Sequence, residues 1–134
     1  QSIAAPLEVA GASAFEALAA YARALLTIIR IDRGVALMRL LIASAPRDPH
    51  LARTVLPRGG PGARVKLVAF LEREAACGRL SIADPSEAAD FFVGMVLGQH
   101  QMAALLGFPS ELTPEKIERI AREATRRFLR AYGG

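Results

Sequence analysis

The chain has 134 residues, 52% hydrophobic and 6% aromatic, with no Trp and a formal net charge of +4. That is the size of one domain with a single substantial core, and a composition led by Ala and Leu, without strand-like alternation, excludes a sandwich or barrel and predicts an all-α fold. The single cysteine, Cys77, excludes an internal disulfide framework and fits a reducing cytoplasm, while the longest strongly apolar stretch, 91–98, is far too short to cross a bilayer.

Helix signals delimit about six helices over the single domain 1–134. No charged segment leading into an apolar run opens the chain, so no signal peptide is expected. The first helix is predicted over 12–30, with Phe15, Leu18, Ala22, Leu25, Leu26 and Ile29 as its apolar stripe. The second is predicted over 33–45. Asp48-Pro49, Gly60-Pro61, Asp84-Pro85 and Thr113-Pro114 then each place a capping residue before a proline at the first helical position, where its missing N–H costs nothing. They open helices over 49–57, 61–77, 85–106 and 114–132, and Gly78, Gly107 and Gly133 fall where helices should stop. Ile3 to Val9 reads as the tail of an earlier helix.

The last two helices differ from the others. Segment 85–106 is apolar nearly all round, and a helix with no wet side is buried on both. Segment 114–132 adds a narrow seam in which Ala121 and Ala124 permit close approach. Together they predict a homodimer through a four-helix bundle, with Phe91, Val96, Leu105, Ile117, Ile120, Ala121, Ala124 and Phe128 at the interface. The alternative is that both helices only complete the monomer core.

Catalytic chemistry finds no support. There is no Gly-x-Ser-x-Gly elbow, and Cys77 stands at the carboxyl end of its helix, where the dipole disfavours a thiolate, so it reads as a small structural hydrophobe. His50 and His100 have no ligating partner at helical spacing, so neither metal nor cofactor is expected. Residues 58–66 resemble a phosphate loop but lack its Gly-Lys-Ser/Thr ending. The positive charge invites a nucleic-acid reading, yet most Arg and Lys lie within a few residues of Asp or Glu, as on a solvated helix face.

Polar groups set in apolar helix remain to be explained. Gln99, His100 and Gln101 interrupt the most hydrophobic segment, and Arg39 interrupts 35–43. Each needs a partner, because burying an unpaired polar group costs about 1–3 kcal/mol. That partner is either an internal hydrogen bond or a small ligand held in an apolar cavity.

The ordered segments 38–52 (Met-Arg-Leu-Leu-Ile-Ala-Ser-Ala-Pro-Arg-Asp-Pro-His-Leu-Ala), Gly78-Arg79-Leu80 with Asp84-Pro85, Val96-Leu97-Gly98, Ala104-Leu105-Leu106-Gly107 and Phe128-Leu129-Arg130-Ala131-Tyr132 resemble the C-terminal regulatory domain of TetR-family transcriptional repressors, the AefR-like group in particular. The resemblance runs from about Phe15 to the end. It implies a TetR C-terminal-like helical homodimer, a small-molecule pocket among the central helices, and an N-terminal helix-turn-helix domain that binds operator DNA. No such helix pair precedes Phe15, so the chain reads as the sensing and dimerising half of a regulator. It departs from the expected pattern at Met102-Ala103, where a basic residue would precede Ala-Leu-Leu-Gly.

On that reading a small hydrophobic or amphipathic effector lies among Phe15, Met38, Arg39, Ile42, Phe70, Phe92, Met95, Gln99 and His100. By favouring one position of helix 12–30, it changes the separation of the DNA-reading domains. The competing reading is a helical protein–protein interaction module that pairs and binds no small molecule.

Overall fold

The computed structural model describes residues 3–9, 11, 13–51 and 61–133. Among them every regular element is helical, apart from one isolated antiparallel bridge between Leu80 and Gly133. A 3₁₀ turn, Ala5–Glu8, precedes α1 (Ala14–Arg30) and α2 (Asp32–Ser44). A further helix opens at 49–51, and the rest of the helix expected over 49–57 lies outside the described residues, as does Gly60. The chain continues through α3 (Pro61–Ala76), α4 (Pro85–Leu97), α5 (His100–Leu105) and α6 (Pro114–Tyr132).

The helices begin where a side chain satisfies an orphan N–H. The Asp84 carboxylate accepts from the Glu87 N–H, and the Thr113 hydroxyl from that of Lys116, each just ahead of the proline that opens the helix. Ser13 does the same for α1 through the Glu16 N–H. At the end of α3 the chain leaves through Gly78, and the Arg79 and Leu80 N–H groups both donate to the Glu74 carbonyl. The Arg79 fork then closes on the half-turn below, with Nε and Nη2 each 2.9 Å from the buried Glu74 carboxylate; that bond holds the Arg79 pKa above its ordinary value.

The core is a slab of α1, α3, α4 and α6. Leu18, Tyr21 and Leu26 of α1 meet Leu67 and Leu71 of α3, Phe92 and Val96 of α4, and Phe128 of α6. The rings form a chain: Tyr21 to Phe92 at 6.4 Å, Phe92 to Phe128 at 5.1 Å edge-on, and Phe128 to Tyr132 at 4.7 Å. Burial pushes the Tyr21 phenol pKa up, against the opposing charge of Arg64. Helix α1 packs most extensively on α6, and fully buried Ala22 and Ala121 let the two approach closely.

Outside this contact, Arg23 grips Glu118 with both nitrogens, at 2.6 and 3.0 Å. The hydrogen bond from Arg23 holds the Glu118 carboxyl below its ordinary value of 4.5. A carboxyl whose pKa is lowered by folding stabilises the fold above the unfolded value, and that contribution fades as pH falls through the folded one. Both side chains are half-exposed, so solvent screening limits the pair to about 0.5–1 kcal/mol. Glu118→Gln is expected to lower urea stability by that amount at pH 7. The gap between variant and wild type should narrow as pH falls below 4.5 and through the lowered folded value; a gap that does not narrow with acid would show packing rather than charge at work.

Three expectations need correction. The segment 85–106 is two helices, because Gly98 takes φ +47° and ψ −134°, a backbone region open to glycine and strained for other residues. Helix α5 therefore turns away from the line of α4 and packs on α1 and α2. Cys77 is exposed rather than packed, one residue past the end of α3. Ile3 to Val9 forms a 3₁₀ turn of four residues rather than the end of an α-helix, with Leu7 buried against the core.

The expected pairing residues divide. Val96, Ile117, Ala121, Ala124 and Phe128 are buried within this chain's own core. The seam on α6 is filled by α1 and α4 of the same molecule. Leu105 and Ile120 are half-buried, and Phe91 is exposed at 56%. The apolar side chains left outside on this part of the fold are Phe91, Met95, Met102, Leu106 and Phe108.

Candidate functional site

Two cavities lie where the end of α1, the start of α2 and α5 converge. The junction between the first two helices is tight. A Cβ on Gly34 would stand 2.8 Å from the Ile28 carbonyl oxygen, so glycine is what allows α2 to start against the last turn of α1. The sequence that follows, Val35 to Leu41, then runs back across α5.

The inner chamber, about 180 Å³, takes Leu25, Ile28 and Ile29 from α1, Gly34, Val35 and Met38 from α2, and Leu97 from the end of α4. Ile3 closes one side, and Gln101, Ala104 and Leu105 of α5 close the other. Apart from Gln101 the wall is apolar. An apolar cavity of about 150 Å³ is enough to hold a benzene ring.

The outer basin, about 540 Å³, lies on the other side of Ile29, Val35 and Ala104, which belong to both cavities. Its wall includes Arg30, Arg39 and His100, and its far rim is the loop Gly107 to Leu112 that joins α5 to α6. Arg39 is fixed in place: Nε donates to the Leu105 carbonyl at 3.0 Å and Nη2 to the Ala104 carbonyl at 3.1 Å. These are carbonyls at the carboxyl end of α5, and that of Ala104 also accepts from the Gly107 N–H at 3.1 Å. One side chain of α2 thus caps α5 and faces the basin.

Of the nine residues expected to hold a ligand, the structure brings together Met38 in the inner chamber and Arg39 with His100 in the basin. Gln101, of the same polar cluster, joins the inner chamber. The other six lie elsewhere. Phe70 and Phe92 are buried core. Phe15 is half-buried beneath the Arg122 guanidinium, 4.8 Å from the ring centre. Ile42 and Met95 are exposed, and Gln99 sits exposed in the break between α4 and α5. Sequence reasoning passes over Ile28, Val35, Leu97 and Ala104 as cavity walls. The available signal is surplus: Leu25, Leu26, Ile28 and Ile29 give the end of α1 more apolar width than one stripe against the core requires.

Among the described residues no group of His, Cys, Asp and Glu could hold a metal ion, and no helix is long and apolar enough to cross a membrane.

A family model described as the C-terminal domain of AefR-like transcriptional repressors matches residues 16–134. Several solved structures share the fold. The Flavonoid-responsive Regulator FrrA is 33% identical with a TM-score of 0.80, over 98% of this chain and 71% of its own. A TetR transcriptional regulator from Agrobacterium tumefaciens is 28% identical with a TM-score of 0.74, over 98% and 70%. A TetR-family transcriptional regulator from Mesorhizobium loti MAFF303099 has a TM-score of 0.82 at 24% identity, over 98% and 64%, a likeness of fold alone. The chain therefore spans roughly two thirds of the length of these solved relatives. No curated protein matches it.

Proposed function

The chain belongs to the AefR-like group of TetR-family transcriptional repressors, as their C-terminal domain, and from that premise we propose that it is the effector-sensing and dimerising part of a transcriptional regulator. On this reading operator DNA is contacted by a separate helix-turn-helix domain of the regulator, and the role of this domain is sensing and pairing rather than catalysis. The observation that carries the proposal is the apolar chamber between α1, α2 and α5, with fixed polar groups beside it. A small amphipathic effector seated there touches the last turn of α1 and the first turns of α2 together. A ligand that fits one setting of that junction better than another shifts the balance between them, and with it the affinity for operator DNA. The flavonoid response named for the relative 33% identical to this chain supports an aromatic effector. Two copies pair through the apolar surface that α4 and α5 leave outside, centred on Phe91, Met95 and Met102.

Thermal denaturation against a panel of flavonoids and one-ring phenols tests the sensing half. At least one compound is expected to raise the Tm of the wild-type chain. Ala104→Phe, which fills the wall common to both cavities, is expected to abolish that rise while leaving the ligand-free Tm within a few degrees. If no compound moves the wild-type Tm and the chain is a dimer by native mass spectrometry, a pairing module without a small-molecule ligand becomes the better account.

A further inference from the structure

The charges around the two cavities point to one class of molecule, an inference that rests on the effector-site reading above. Among the described residues the basin wall carries two guanidinium groups, Arg30 and Arg39, and one carboxylate, Glu111. Glu111, on the rim, lies 3.8 Å from Lys116 Nζ, so its charge has a partner of its own. Arg39 donates only to neutral carbonyl oxygens, and among the described residues neither it nor Arg30 has a carboxylate within ion-pair distance. Helix carboxyl ends offset part of this charge, since Arg30 is in the last turn of α1 and Arg39 caps α5. Each such end carries about half an elementary charge, so the two together offset about one of the two guanidinium charges and the described wall stays positive. Arg39 also keeps donors in reserve, because a guanidinium has five N–H groups and two are engaged.

We infer that the effector is an amphipathic organic anion, with a carboxylate or phenolate head in the basin at Arg39 and Arg30, and an apolar body of about one ring in the inner chamber. The shared walls Ile29, Val35 and Ala104 set head and body side by side. His100, at the amino end of α5, lines the basin beside the head. A head held this way joins three elements, since Arg30 ends α1, Arg39 stands on α2, and the carbonyls that position Arg39 belong to α5. An uncharged molecule of the same shape fills the chamber without making that connection.

Three probes of one shape separate the terms: 3-phenylpropionate, 3-phenylpropan-1-ol and 3-phenylpropylamine, titrated into the isotopically labelled chain and followed by backbone NMR shifts. The carboxylate is expected to bind about tenfold more tightly than the alcohol, the worth of one charge-assisted hydrogen bond, and the amine most weakly. Arg30→Gln and Arg39→Gln should each erase most of the advantage of the carboxylate and leave the alcohol unchanged. Should Arg39→Gln loosen α5 by removing its cap, Arg30→Gln still decides, because Arg30 makes no described hydrogen bond or ion pair. Equal affinity for acid and alcohol, with shifts centred on Met38 and Ala104, would overturn the anionic effector and leave the cavity as a binding site. Absence of any shift at the chamber walls with all three probes would overturn both.

Discussion

Phe128→Ala is expected to cost the fold about 3–5 kcal/mol, the usual loss when a buried aromatic ring is removed from a core. Phe128 is fully buried, edge-on to Phe92 at 5.1 Å and against Tyr132 at 4.7 Å, so its ring joins α6 to α4 and to its own last turn. Little can close over the gap, because the neighbouring Ala121, Ala124 and Thr125 are small and already fixed between α1 and α6. A domain of this size has about 5–15 kcal/mol of stability in all, so the variant should show a large drop in urea midpoint. Phe128→Leu should recover part of it, since Leu leaves a smaller cavity than Ala but makes neither ring contact. The same variant decides between two roles for the ring. A loss of stability independent of protein concentration fits a core residue; a loss that vanishes at high concentration would return Phe128 to an interface between chains.

The double variant Phe91→Glu, Met95→Glu is expected to turn a dimer into a monomer, with dissociation favoured at least about 100-fold. Carboxylates brought into a desolvated contact cost roughly 2–5 kcal/mol, and each 1.4 kcal/mol is about a factor of ten in Kd. Phe91 is 56% exposed and Met95 41% exposed in the single chain, so their replacement disturbs little internal packing, and helix content by circular dichroism should be nearly unchanged. Sedimentation equilibrium over micromolar concentrations reads the result directly. A dimer that survives both charges would move the pairing surface away from α4.

The sequence shows its helices more clearly than its cavity, for a physical reason. Capping acts within one turn, so Asp84-Pro85 and Thr113-Pro114 mark the starts of α4 and α6 with no help from the rest of the fold. The break at Gly98 is hidden, because a glycine inside an apolar run costs a helix only about 1 kcal/mol, and the packing of α5 on α2 outweighs that cost. The seam on α6 is legible as a seam, but whether α1 or a second chain fills it is a tertiary question that the pattern of Ile117, Ala121 and Phe128 leaves open.

The site divides in the same way. Arg39 and His100 announce themselves, since a polar side chain in an apolar segment must find a partner, and both reach the basin wall. Phe70 and Phe92 look equally suited to a ligand but lie in the core. Bulk and apolarity serve a packed interior and a cavity wall alike, so hydrophobic pattern alone separates neither Phe92 from Met38 nor Leu26 from Leu25.

The buried core and the cavity walls are lodged in different parts of this small fold. Among the described residues the slab of α1, α3, α4 and α6 holds most of the buried side chains, whereas α2 contributes Leu41 and α5 contributes none. Most of the chamber and basin walls come from those two lightly anchored helices and the end of α1. Val35, Met38, Gln101 and Ala104 are half-buried, so exchanges there remove less of what holds the molecule together than exchanges in the slab. Such a layout uncouples the two: single exchanges can reshape the walls while the slab beneath goes on holding the fold.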